Sequence, residues 1–171
     1  DLVALARKLK VGEYAKEIAK TAGGYEIVKL ADKRDKANPF NDREKEMEVK
    51  AAHLLICYQG IENCPDNLTK EQALSKITEL KKTATPQNFT ALVKANSTEP
   101  GAAQSGGELG WFDRTMMVKP FSDAVFAQPV GTVGGPVESE FGFHLISKEA
   151  ERPIVEYKIS HILIKTKTEA D

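Results

Sequence analysis

The sequence predicts an α+β domain with an antiparallel sheet, spanning roughly residues 47–153. Short runs at both ends of this stretch alternate between apolar and polar residues, which is typical of half-buried strands. Between these runs, apolar residues recur at the spacing of a helix, and glycine and proline separate the segments. The resulting order is strand, two helices, strand, helix and two strands.

The first predicted strand is Val49–Cys57, an alternating run that is rich in aliphatic residues. A loop follows over Tyr58–Asn67, where glycine and proline interrupt the pattern. Thr69 and Gln72 then have the spacing of a capping box, which predicts the start of a helix.

A second helix is predicted to begin at Thr85-Pro86, because threonine is a good cap and proline is tolerated in the first helical turn. Both helices carry apolar residues at the spacing of one buried face. Those residues are Ala73, Ile77, Leu80, Phe89, Leu92 and Val93.

The second half of the domain starts with a turn-rich loop over Glu99–Gly107 and a short strand over Leu109–Phe112. Pro120 opens a third helix, whose apolar positions follow directly. Two strands close the domain, with a turn between them. They are predicted at Val133–Val137 and Phe143–Ser147, joined by Glu138–Gly142.

Composition excludes some classes of function. The chain has 171 residues, and 24 Lys and Arg against 25 Asp and Glu leave a formal net charge of −1. This balance lacks the basic surface of a nucleic-acid-binding domain, so we expect no nucleic-acid partner. The apolar runs are far shorter than the roughly 20 residues that cross a bilayer, so this segment is expected to contain no membrane span.

The two cysteines, Cys57 and Cys64, flank a turn and are compatible with either a disulfide or two free thiols. Their spacing matches no Cys/His metal-ligand pattern. We therefore expect neither a metal ion nor another cofactor.

Two histidines are the first indication of a site. His53 and His144 each lie in a strand-like apolar run, at opposite ends of the predicted domain. A buried histidine normally needs a hydrogen-bond partner. Strand alternation places Leu55 and Cys57 on the face of His53, and the two histidines can meet only if their strands are neighbours.

Internal repeats extend beyond this domain. Residues 11–34 resemble residues 130–152, and residues 156–165 repeat residues 48–57, with His161 in the place of His53. We interpret residues 1–34 as the C-terminal fragment of a preceding module and 154–171 as the first strand of a following one. Residues 35–46 are charged, carry Asn38-Pro39 and are predicted to be a linker between the first fragment and the complete domain at 47–153.

Four motifs together carry a family resemblance: AHLLI in the first strand, GGELGWF, MVKPFSDAVF and the closing FGFHLI. In this order and spacing, residues 49–149 resemble the parvulin-type peptidyl-prolyl cis-trans isomerases. The resemblance implies a four-stranded antiparallel sheet surrounded by helices, with a substrate cleft across the sheet. It also implies isomerisation of X-Pro bonds in unfolded or folding polypeptides, without a cofactor.

The resemblance assigns roles to individual residues. It implies that His53 and His144 are the family's paired histidines, that Glu99 occupies a position that is cysteine in some members, and that these three residues form the catalytic set. The residues implied to contact substrate are Leu55, Leu109, Met117, Val118, Phe121 and Ser139. Val118 departs from the glutamine often found there, and Glu26 stands where the first fragment should have a histidine.

The loop after the first strand contains no lysine or arginine, so we expect no preference for phosphorylated substrates. Tandem modules of this kind resemble bacterial envelope foldases, which suggests the bacterial periplasm or cell envelope. Two other functions compete with the isomerase: a non-catalytic chaperone or peptide-binding module, and a thiol hydrolase that uses Cys57. The terminal fragments could also pair with each other, within one chain or between two.

Overall fold

The computed structural model describes residues 1–38 and 41–165. It divides into two compact units, one formed by Met47–Arg152 and the other by Asp1–Glu46 together with Pro153–Asp171. Pro39, in the predicted linker, and residues 166–171, at the end of the predicted final segment, lie outside the described residues.

The structure contains both helices and strands in the described part of the chain. The helices are α1 Leu2–Ala6, α2 Lys70–Thr83, α3 Phe89–Asn96, α4 Ala102–Ser105 and α5 Lys119–Ala127. The strands are β1 Ala19–Thr21, β2 Gly24–Asp35, β3 Ala37–Asn38, β4 Asn41–Lys45, β5 Met47–Ile56, β6 Glu108–Asp113, β7 Thr132–Ser139, β8 Gly142–Pro153 and β9 Val155–Ile164. No described helix has the length and apolar character needed to span a bilayer.

A four-stranded sheet in the order β6-β5-β8-β7 forms the centre of the 47–152 unit. β6 is antiparallel to β5, and β7 is antiparallel to β8. The first and last predicted strands, β5 and β8, are therefore the two central neighbours, as a contact between His53 and His144 requires. The α+β class and the helix-covered sheet predicted from the sequence are confirmed.

The two faces of this sheet are covered by different helices, as the alternation along β5 predicts. Ala52, Leu54 and Ile56 belong to a core cluster with α2 and α3. Val49 and Ala51 pack instead with α5 on the opposite side. The consecutive residues Ala51 and Ala52 join different clusters because neighbouring side chains of a strand point to opposite faces.

The helix ends show where local sequence signals hold and where they fail. The capping box is present, since the Thr69 hydroxyl accepts from the Gln72 N–H at 3.3 Å and the Gln72 side chain accepts from the Thr69 N–H at 2.8 Å. The prediction that a helix begins at Thr85-Pro86 is wrong, because α3 begins at Phe89. Thr85 and Asn88 bond each other reciprocally and close a separate turn first.

The second unit contains a three-stranded sheet in the order β1-β2-β9. β2 and β9 are antiparallel, with Val28 opposite His161, and α1 contributes Ala6 to a small core with Val28 and Leu30. Within the predicted linker, β3 pairs with β4. The sequence did not indicate this pairing, because the segment lacks the alternation of a buried strand.

Candidate active site

The paired histidines lie in direct contact between the central strands. The Nδ1 atoms of His53 and His144 are 3.2 Å apart, and the rings stack with centroids 5.4 Å apart. Both side chains are buried. Each of the remaining nitrogens also has a partner: His53 Nε2 is 2.7 Å from Glu99 Oε2, and His144 Nε2 is 2.7 Å from Ser139 Oγ.

These contacts define a directional chain of hydrogen bonds when both rings are neutral. The Glu99 carboxylate can only accept, so His53 donates from Nε2 and accepts at Nδ1. His144 then donates from Nδ1 and accepts at Nε2, where the Ser139 hydroxyl donates. The Ser139 oxygen in turn accepts from the Phe141 N–H at 3.1 Å. Every polar atom of the buried ring pair is thereby satisfied.

The pKa shifts of His144 and Glu99 agree with a neutral His144 ring and an ionised Glu99 carboxylate. Burial, together with the neighbouring His53, lowers the pKa of His144 from 6.5 to about 4, although the charge of Glu99 acts in the opposite direction. The hydrogen bond from His53 lowers the pKa of the Glu99 carboxyl. At neutral pH the site thus holds a neutral His144 beside an ionised Glu99.

A short segment before Glu99 holds this carboxylate beside β5. Beyond Ala52, β6 no longer pairs with β5, and Ser97 and Thr98 take over its edge. The Thr98 N–H donates to the Leu55 carbonyl at 2.8 Å, and the Leu55 N–H donates to Ser97 Oγ at 3.2 Å. These bonds place the segment 97–98 along the edge of β5 that β6 does not cover. Glu99, the next residue, therefore lies beside Nε2 of His53.

An apolar pocket of about 550 Å³ opens beside the two histidines. Phe121 forms its base and packs edge-on against both rings, with centroids 5.7 Å from His53 and 5.3 Å from His144. Of the predicted site residues, those that line the pocket are His53, Leu55, Glu99, Leu109, Met117, Val118, Phe121 and His144. Ser139 is buried and reaches the site through His144.

A disulfide closes the loop on one side of this pocket. Cys57 and Cys64 are bonded, with their Cα atoms 5.8 Å apart, and both line the pocket together with Ile61, Glu62 and Pro65. The open choice between a disulfide and free thiols is resolved in favour of the disulfide. The thiol hydrolase alternative loses its nucleophile, because the Cys57 sulfur is bonded to Cys64.

Removing this disulfide is expected to destabilise the protein by about 2 to 3 kcal/mol, because the bond closes a short loop in the unfolded chain. The change is the double substitution Cys57→Ala/Cys64→Ala, and urea unfolding measures the effect. Reducing agent should destabilise the wild type by a similar amount and leave the double variant unaffected. Equal stability of oxidised and reduced wild type would contradict this expectation.

The His144 pKa predicts a pH dependence of stability between its folded value of about 4 and the ordinary value of 6.5. In this window the unfolded chain binds the proton more readily, so the free energy of unfolding decreases as pH falls. From pH 7 to pH 5 we expect a loss of about 2 kcal/mol in urea unfolding. In His144→Gln the decrease should shrink markedly, and an unchanged slope would assign the effect to other groups.

Several residues of the site carry no local signal in the sequence. Ile61, Thr98, Met116 and Phe141 also line the pocket, yet each lies in a loop where no periodicity indicates a direction. Ser97 and Thr98, directly before Glu99, gave a weak local indication that this segment contacts another backbone, since serine and threonine hydroxyls often bond backbone groups.

The sequence of this chain is similar to those of known peptidyl-prolyl isomerases and foldases. The sequence profile of the PPIC-type PPIase domain matches residues 25–152. The putative peptidyl-prolyl cis-trans isomerase Cbf2 of Campylobacter jejuni is 39% identical over 123 residues, covering 67% of this chain and 41% of its own. The foldase protein PrsA of a Geobacillus species is 32% identical over 145 residues, covering 83% of this chain and 46% of its own.

A solved structure shares the fold. The solution structure of TbPIN1 superimposes with a TM-score of 0.52 at 28% identity, covering 60% of this chain and 97% of that one. The chain spans less than half the length of the two curated relatives.

Proposed function

The chain belongs to the PPIC-type peptidyl-prolyl isomerase family, the parvulins, and we propose that its 47–152 unit accelerates rotation about X-Pro bonds in unfolded or folding polypeptides. One observation carries the proposal: an apolar pocket sits directly beside a fully hydrogen-bonded pair of buried histidines and an ionised glutamate. The relatives' names, isomerase and foldase, support the same activity.

The reaction requires no nucleophile. A prolyl bond isomerises over a barrier of about 20 kcal/mol because rotation breaks amide resonance. In the twisted state, charge leaves the carbonyl oxygen and returns to the nitrogen. A catalyst therefore needs to hold the ring, exclude water and favour the twisted state over both planar forms.

The residues of the pocket suit these tasks. Phe121, Met117 and Leu109 offer an apolar surface for the proline ring. The Glu99 carboxylate repels the negatively polarised oxygen of a planar amide, and this repulsion weakens once the bond twists. His53 and His144 hold Glu99 and the base of the pocket in place, so we assign them a positioning role in catalysis.

A protease-coupled assay on the 171-residue chain tests this function with a proline tetrapeptide. Acceleration of the cis-to-trans step supports the isomerase, and binding of an unfolded protein without any acceleration would instead support the non-catalytic chaperone. We further propose that phosphorylation before proline gives no advantage, since no lysine or arginine of the described residues lines the pocket. Much faster turnover of a phosphopeptide than of its unphosphorylated twin would refute that part.

The terminal unit is proposed to combine parts of two further modules. Its strand order β1-β2-β9 parallels β7-β8-β5 of the complete sheet. Glu26 and His161 are hydrogen-bonded where the central unit has its histidine pair, and the Thr21 hydroxyl donates to Glu26 as Ser139 does to His144. A cysteine pair at the facing positions Val28 and His161 tests the pairing, because it should cross-link within one chain or between two and would otherwise stay reduced.

We propose an oxidising bacterial compartment, the periplasm or cell envelope, as the location. The Cys57–Cys64 disulfide supports this, because such bonds are rare in reducing compartments. Alkylation of cells at the moment of lysis tests it, and free thiols at both positions would contradict the proposal.

A further inference from the structure

The substrate pocket has an acidic rim. The disulfide-closed loop brings Glu62 into the wall of the pocket, where Glu99 is the other carboxylate. Among the described residues, no lysine or arginine joins them in that lining. A peptide in the pocket therefore lies beside two carboxylates and no fixed positive side chain.

Two lysines of α2 are paired with carboxylates other than Glu62 and Glu99. Lys76 is committed to Asp66 at 3.4 Å, and Lys70 to Glu138 at 2.6 Å. Glu62 is exposed and has no ion-pair partner within the part of the chain that the structure describes. His144 is neutral at pH 7 because burial lowers its pKa to about 4. Glu99 is hydrogen-bonded to His53, so Glu62 is the carboxylate of the rim that is left without a basic partner among the described residues.

We propose that Glu62, together with Glu99, makes this pocket selective for X-Pro bonds flanked by lysine or arginine. This inference rests on the proposed isomerase function and names its preferred substrate class. A cationic side chain next to proline would lie along the rim while the ring occupies the apolar base. An exposed carboxylate contributes a modest interaction, so the preference should be a few-fold and sensitive to salt.

Three tetrapeptides that differ only in the residue before proline test the proposal: arginine, alanine and glutamate. With the coupling protease in excess, kcat/KM of the 171-residue wild type should be about threefold higher for arginine than for alanine, and lowest for glutamate. In Glu62→Gln the ratio of arginine to alanine should move towards one. Glu79→Gln is the matched control, because Glu79 is also exposed but pairs with Lys82 on α2 and does not line the pocket.

Raising the ionic strength should reduce the arginine preference of the wild type and leave that of Glu62→Gln almost unchanged. Equal kcat/KM values for the three peptides, or an arginine preference that is undiminished in Glu62→Gln, would overturn this inference alone. Failure to accelerate any of the peptides would refute the proposed function and the inference with it.

Discussion

Replacing Gly107 by alanine is expected to lower the free energy of unfolding by about 3 kcal/mol or more and to displace His53. Gly107 has φ +76°, which side-chain-bearing residues adopt at a cost, and an added Cβ would lie 2.1 Å from the His53 carbonyl oxygen. The same two residues are joined by a hydrogen bond from the His53 N–H to the Gly107 carbonyl at 2.9 Å. Neither β5 nor the turn that holds Gly107 can therefore move away without losing that bond.

Gly110→Ala is the matched control for this prediction. Gly110 lies three residues further along the chain, within β6, with φ +69°, and nothing stands within 4 Å of an added Cβ. Only the backbone strain remains there, so we expect a loss of about 1 to 2 kcal/mol. Urea unfolding measures both variants, and histidine ring signals in NMR report whether His53 has moved. Equal destabilisation by the two substitutions would mean that the close approach to His53 carries no cost.

Alternation along β5 was enough to predict which of its side chains face the pocket. It placed His53 with Leu55 and Cys57 on one face, and the structure puts all three in the pocket wall. A contact between His53 and His144 also required β5 and β8 to be neighbours, which the sheet order satisfies. These inferences succeed because side-chain direction in a strand depends only on position along the chain.

The rest of the site depends on contacts that no local pattern encodes. Glu99 reaches His53 across 46 residues of sequence. The segment before it is held in place because the Ser97 and Thr98 hydroxyls accept hydrogen bonds from the N–H groups of Leu55 and Cys57. Only the family resemblance pointed to Glu99, because an isolated loop glutamate is normally solvated. The predicted start of α3 was wrong for a related reason. Thr85 and Asn88 bond each other in a turn that precedes the helix, and the helix itself begins only at Phe89.

Truncation of Phe121 to alanine is expected to have the largest effect on activity. Phe121 is buried beneath both histidines and forms the base of the pocket. Losing about 2 kcal/mol of apolar contact with the proline ring would lower kcat/KM by about 30-fold. The cavity left under the histidines should also reduce the free energy of unfolding by about 3 to 5 kcal/mol.

A second truncation on α5 separates the loss of activity in Phe121→Ala from its loss of stability. Phe126 packs against Phe112 with ring centroids 6.4 Å apart and does not line the pocket. Phe126→Ala should therefore lose stability while keeping kcat/KM close to that of the wild type. Phe121→Leu should retain the fold and lose activity to an intermediate extent, which covers the case in which Phe121→Ala fails to fold. Equal activity of folded Phe121 and Phe126 variants would show that the aromatic base is not where the proline ring binds.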